Sequence, residues 1–137
     1  MFDVLEVLEM ETELIGEFKG KNTTYRVLPD GLMEVSGQGT GKILGKDAFL
    51  ATTSIGIMEN GVFSGEVYSS ITTMDGQTVT MKAYAIGLPS GNGGLSRGAS
   101  VQETSAESLL ALNKVILLHE YETDMADNWT GKIWKWK

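Results

Sequence analysis

Glycine alternates with polar residues in the stretch VSGQGTGKIL, residues 35–44, and a lysine follows the third glycine. Glycines and a lysine close together suggest a loop that binds phosphate. A phosphate-binding loop requires glycine, four residues, and then Gly-Lys followed by Ser or Thr. Here Ile43 follows Gly41-Lys42, and Ser36 stands where the first glycine is required. The dinucleotide fingerprint Gly-x-Gly-x-x-Gly fails too, because no glycine falls at its last position. We therefore do not expect a nucleotide site.

The same glycines recur at every second position, which is the period of a β-strand. Their face of the strand also carries apolar side chains, and the opposite face is polar, so we predict that the glycines face the interior of a rolled sheet. A glycine in a strand marks sharp coiling or the close approach of another group. Either side chains from across the interior fill the space above them or a ligand does, and the sequence leaves both interpretations open.

Charged and polar residues at inward positions are the other candidates, because a buried charge is costly unless it is paired. In the predicted strand 94–103, Arg97 and Glu103 share a face with three apolar residues. In the predicted strand 115–124, His119 and Tyr121 share a face with the apolar residues Val115 and Leu117. Each of these residues also has a purely structural interpretation. The candidate ligand-binding residues are His119, Arg97, Glu103, Tyr121, Gly37, Gly39 and Gly41.

Composition narrows the function further. The chain of 137 residues has no cysteine and a single histidine, so neither disulfides nor a multi-histidine metal site is expected, and we predict no cofactor and no metal. Its net charge of -7 argues against binding to nucleic acid or anionic membranes. No apolar run approaches the ~20 residues of a membrane helix, and the acidic start lacks the features of a signal peptide. We therefore expect a cytoplasmic protein made of one domain, residues 1–137.

Turn signals at Pro29-Asp30-Gly31, Asn60-Gly61 and Asp75-Gly76 separate long runs rich in β-branched and aromatic residues. The predicted strands are 12–20, 22–28, 32–44, 47–59, 61–74, 77–88, 94–103, 115–124 and 129–137, and the first ten residues could form another.

Thr104 to Glu107 has the form of a capping box and predicts one short helix near 105–113. The fold class we predict is all-β. Its form is an antiparallel up-and-down, calycin-like barrel of about 8–10 strands, since closure removes exposed edges. An open sandwich is the alternative.

Two local stretches, SRGASVQETSAESLLALN (residues 96–113) and the final TGKIWKWK, resemble small uncharacterised calycin-like or allene-oxide-cyclase-like β-barrel proteins. The resemblance implies a barrel, often dimeric or trimeric, whose interior or mouth can hold a small apolar molecule. It maps no catalytic motif onto particular residues and does not imply cyclase activity.

The sequence is compatible with three functions. The first is a barrel that binds a small apolar molecule. The second is an isomerase or cyclase that confines a reactive substrate, with His119, Arg97 or Glu103 placing protons. The third is a structural module with a filled core, in which Trp134 and Trp136 serve assembly. We expect a homo-oligomer and favour a dimer.

Overall fold

Antiparallel strands form a closed barrel in which each strand pairs with its neighbours in sequence and the last pairs with the first. The computed structural model describes residues 11–137, and within them the barrel has eight strands. The strands are β1 Thr12–Val27, β2 Leu32–Ile43, β3 Lys46–Glu59, β4 Val62–Thr73, β5 Thr78–Ser90, β6 Gly93–Glu103, β7 Leu117–Thr123 and β8 Asn128–Trp136. The predicted all-β, up-and-down barrel is confirmed. The strand considered for the first ten residues lies outside the described part.

The two strands predicted at 12–20 and 22–28 are one continuous strand, β1. Its register against β2 shifts between Asn22 and Thr24, which marks a β-bulge. A bulge bends a strand without ending it. The break that the sequence predicted between these two strands is therefore a bend within β1.

Tight turns join most of the strands. Asn60 and Gly61 both have positive φ, 53° and 78°, as a two-residue hairpin turn requires. Asp30 and Gly31 do the same within the short 3₁₀ segment Pro29–Gly31. The turn at Leu44-Gly45, where φ is 49° and 77°, has no such signal in the sequence, because leucine is a rare residue in that conformation.

The segment predicted as a short helix forms a 3₁₀ helix, Glu107–Leu112. Its capping box does not form, since no side-chain hydrogen bond caps this helix. Instead Thr104 donates its hydroxyl to the carbonyl of Thr78 (2.7 Å) and accepts from the amide of Ala106 (3.0 Å). The side chain of Asn113 binds the backbone of Thr104 at both its N–H and its C=O. These bonds join the two ends of the loop that contains the 3₁₀ helix.

The 3₁₀ helix Glu107–Leu112, called the plug below, closes one end of the barrel. Leu109 and Leu112 project from the 3₁₀ helix and are fully buried. They belong to a cluster that fills the lower half of the interior, together with Ile15, Phe18, Ile43, Ala48, Leu50, Ile71, Val79, Met81, Leu117, Trp129 and Ile133. The opposite end carries the turns that follow β1, β3, β5 and β7. Several side chains that face inward above this cluster are small or polar, among them Thr52, Ser54, Ser69, Ala83 and Ser96, which leaves space there.

In β3, Phe49 and Ile57 are exposed on the outside of the barrel. Thr52 and Ser54 face inward instead. Apolar residues occur on both faces of β3, so alternation alone does not distinguish inside from outside.

Candidate functional site

An internal cavity of about 130 Å³ occupies the upper half of the barrel, between the buried cluster and the end opposite the 3₁₀ helix. All eight strands contribute to its wall. The lining residues are Asn22, Val35, Thr52, Ser54, Val67, Ser69, Met81, Ala83, Ala85, Ser96, Gly98, His119, Tyr121, Thr123 and Trp129. None of these described residues is Asp, Glu, Lys or Arg. The cavity is therefore apolar to weakly polar and without formal charge.

The glycines of β2 face the interior as predicted, but other groups occupy the space next to them. A Cβ atom at Gly39 would lie 2.5 Å from Cη2 of Trp129 and 2.5 Å from the carbonyl oxygen of Lys19. At Gly41 it would clash with the backbone of β1. Gly37, Gly39 and Gly41 are not among the residues that line the cavity. Of the two interpretations of these glycines, the structure shows the one in which protein atoms fill the space.

Trp129 lies against two glycines that are neighbours across the sheet. Trp129 pairs with Gly20, and Gly20 pairs with Gly39, so the three lie in one row across β8, β1 and β2. A Cβ on Gly20 would come within 2.5 Å of the indole. Because Gly20 and Gly39 have no side chains, the indole packs directly against the backbone of β1 and β2. Trp129 was not among the predicted site residues, although it alternates with the buried residues Gly131 and Ile133.

Three aromatic rings form one wall of the cavity. His119 and Tyr121 are stacked, with ring centroids 6.4 Å apart. Tyr121 meets Trp129 edge-on, with centroids 5.4 Å apart. Tyr121 lies over Gly131, its partner on β8, where no side chain could fit beneath the ring. The inward prediction for His119 and Tyr121 is confirmed.

A buried chain of hydrogen bonds holds the imidazole of His119. The side-chain amide of Gln102 donates to the carbonyls of Leu112 (2.9 Å) and Val115 (3.0 Å), both next to the plug. This leaves the Gln102 oxygen as an acceptor for the hydroxyl of Ser100, at 2.5 Å. Ser100 has a single hydroxyl proton, so its oxygen must accept from Nε2 of His119, also at 2.5 Å. His119 therefore carries its proton on Nε2.

The remaining polar atoms of the aromatic wall have no partner. Nδ1 of His119 and the hydroxyl of Tyr121 make no hydrogen bond within residues 11–137. The indole N–H of Trp129 is buried, and it too is unpaired in the described structure. Burial lowers the pKa of His119 to about 4 and raises the pKa of Tyr121 above its ordinary value. Both side chains are therefore neutral near pH 7, and Nδ1 is a free acceptor.

Arg97 and Glu103 lie on the outer surface of the barrel, so their predicted inward position is wrong. Arg97 forms an ion pair with Glu120 of β7, Nε to Oε2 at 2.9 Å, and Glu103 is exposed. The inward face of β6 carries Ser96, Gly98, Ser100 and Gln102. That face is small and polar, and the outer face holds Leu95, Ala99 and Val101. Hydrophobicity therefore indicated the wrong side of this strand.

No group of three or more His, Asp or Glu side chains placed to hold a metal ion occurs between residues 11 and 137. In the same part of the chain, no helix has the length and apolar character needed to cross a membrane.

Comparison with known proteins shows the fold without a function. No protein-family model matches the chain, and no curated protein matches it. A conserved protein of unknown function from Rhodopseudomonas palustris is 13% identical with a TM-score of 0.76, over 91% of this chain and 95% of that one. A protein of unknown function from Clostridium acetobutylicum is 12% identical with a TM-score of 0.79, over 93% of this chain and 100% of that one.

A third solved structure, a β-barrel-like protein from Acinetobacter baumannii, is 12% identical with a TM-score of 0.69, and the match covers 92% of this chain and 96% of that one. At such low identity these likenesses show a shared small barrel and nothing more about ligand or activity.

Proposed function

We propose that this barrel binds a small, uncharged and largely apolar molecule in the cavity beside His119, Tyr121 and Trp129. The observation that carries the proposal is the cavity itself, about 130 Å³ of space in a barrel whose other half is fully packed. Protein interiors rarely leave such space without a reason. An engineered apolar cavity of about 150 Å³ holds benzene, so a ligand about the size of one ring is the appropriate scale.

The lining explains why the ligand should be neutral. A charged group moved from water into this cavity would lose its hydration and meet no opposite charge among the described lining residues. Alanine and valine supply apolar contact on one side, and aromatic rings supply it on the other. Hydroxyl groups of Thr52 and Ser69, which bond to each other at 3.1 Å, add a weakly polar patch.

A thermal-shift titration with benzene and toluene tests the proposal. A ligand at a concentration of 100 times Kd stabilises the folded state by about 2.7 kcal/mol, which raises Tm by several degrees in a domain of this size. The variant Ala83→Phe places a ring in the cavity and should abolish that increase. The matched control Ala99→Phe puts the same ring on the outside of β6 and should retain it.

The ligand-induced change in Tm is the quantity to compare, because either variant can alter Tm by itself. An increase that survives in Ala83→Phe, or no increase with any ring-sized molecule, would count against binding in this cavity. Native mass spectrometry of freshly purified protein adds an independent measurement, since a retained natural ligand would show its mass directly.

The side chains considered for an isomerase or cyclase mechanism are not assembled in one place. Of His119, Arg97 and Glu103, only His119 lines the cavity. The resemblance to calycin-like or allene-oxide-cyclase-like barrels is compatible with a ligand in the interior. It adds no catalytic residue.

A further inference from the structure

Beyond the size of the ligand, the cavity wall specifies one hydrogen bond. We infer that the ligand is an uncharged ring-sized molecule that donates one hydrogen bond, from O–H or N–H, to Nδ1 of His119. Neutral phenols and cyclic amides have this chemistry. The inference rests on the proposed function, since it describes an occupant of the same cavity.

The acceptor is fixed by a chain of bonds that begins at the plug. Gln102 cannot exchange the positions of its amide nitrogen and oxygen, because an oxygen would then face the carbonyls of Leu112 and Val115. With Gln102 fixed, the proton of Ser100 is committed to the Gln102 oxygen. The imidazole must therefore donate from Nε2 and present a lone pair at Nδ1. Two buried side chains, Gln102 and Ser100, thus hold one nitrogen of His119 unprotonated beside the cavity.

The indole N–H of Trp129 is not a second contact for the ligand. It is buried and has no partner in the described residues, and Gly20, Gly39 and Tyr121 pack against the ring. Trp129 therefore contributes an aromatic surface to the cavity wall, and the hydrogen bond to the ligand is assigned to His119.

The placement of His119 makes the site selective. His119 lines the cavity, and the ring of Tyr121 is stacked on it and edge-on to Trp129. A flat ring can contact these aromatic side chains while its polar edge donates to Nδ1. A purely apolar ring fits the volume but leaves Nδ1 unpaired.

Four probes of similar size separate the polar requirement from simple filling of space. Phenol donates and accepts, anisole only accepts, benzene does neither, and benzoate carries a charge. Calorimetric titration of the whole chain should show phenol binding about tenfold tighter than benzene or anisole, the effect of one added hydrogen bond. Benzoate should not bind measurably.

Variants of His119 assign the preference to its nitrogen. His119→Leu removes the acceptor and should make the affinities for phenol and benzene equal. His119→Gln, whose amide can donate to Ser100 and still offer an oxygen, should restore part of the preference. Benzene binding reports that the cavity is intact in each variant, and the comparison of probes on the unaltered protein stands even if a variant fails to fold.

The outcomes separate this inference from the function on which it rests. If phenol and benzene bind the unaltered protein equally, and Ala83→Phe removes both, the cavity binds ligands but the assigned hydrogen bond is wrong. If none of the uncharged probes binds, the inference and the proposed function both fail. A phenol preference that persists in His119→Leu would also overturn the assignment to Nδ1.

Discussion

His119 is a buried, neutral imidazole, and its protonation state links the candidate site to the stability of the barrel. Burial lowers its pKa from 6.5 to about 4 in the folded protein. Above pH 6.5 the imidazole is neutral in both folded and unfolded chains. Between pH 6.5 and 4 the unfolded chain binds a proton that the folded chain excludes, so acid favours unfolding in this window.

We therefore predict that the free energy of unfolding falls as the pH drops from 6.5 to 4, by about 1.4 kcal/mol per pH unit at most. Below pH 4 the folded protein also binds the proton, and this contribution stops changing. His119→Gln should lack this pH dependence, and denaturant titrations at several pH values would measure the difference. Acidic side chains such as Asp75 and Asp124 titrate in both proteins, so the comparison cancels their effect. Parallel loss of stability in the two proteins would contradict the prediction.

Glycines in β1 and β2 allow these paired strands to approach each other closely and the indole of Trp129 to pack against them. We predict that Gly39→Ala destabilises the protein by about 1–3 kcal/mol, because the new Cβ meets backbone and indole atoms at 2.5 Å. Gly87→Ala is the matched control within β5. Its Cβ would have ordinary contact with Phe63 at 3.5 Å, so we expect a neutral change or a gain of up to about 1 kcal/mol. Chemical denaturation compares them, and equal losses would remove the role assigned to Gly39.

The 3₁₀ plug is the second element on which the site depends. Leu109 is fully buried beneath the barrel floor, and its neighbour Leu110 is 47% exposed. We predict that Leu109→Ala costs about 2–5 kcal/mol of stability, and that Leu110→Ala costs much less. Thermal or chemical unfolding would show this difference. Similar losses for the two variants would mean that the plug does not pack as described.

The sequence predicted the positions of the strands better than it predicted which side chains of some strands point into the barrel. Hairpin turns such as Asn60-Gly61 have specific conformational requirements, and they located the strands of the meander. The side chains of His119 and Tyr121 were also predicted to face inward. Arg97 was assigned to the wrong face because the inward face of β6 is made of small polar residues that support the site, Ser100 among them. Long-range contacts, such as Gln102 with the plug, leave no local signal in the sequence.

At the scale of the whole molecule, the formation of a homo-oligomer stays a prediction, based on the tryptophans of β8. Trp136 is 49% exposed, and Trp134 next to it on the same face is half-buried. Exposed aromatic surface of this kind is typical of protein contacts. We predict that Trp136→Ala shifts a dimer towards the monomer in sedimentation velocity. Tyr84→Ala, which removes a 60% exposed aromatic from β5, should leave the mass unchanged. An unaltered mass for Trp136→Ala would argue against assembly through β8.

The barrel as a whole combines a packed floor with a cavity of about 130 Å³, and the central claim is that this cavity is a binding site. Phenol titration of ¹⁵N-labelled protein, followed by NMR, tests that claim most directly. The chain has one histidine and three tryptophans, so the ring signals are few, and Trp129→Phe identifies the indole of interest. We predict saturable shifts of the His119 ring and the Trp129 indole, with the outward-facing Trp134 and Trp136 indoles unchanged. Shifts confined to Trp134 and Trp136, or no saturable shift at His119 and Trp129, would contradict the account.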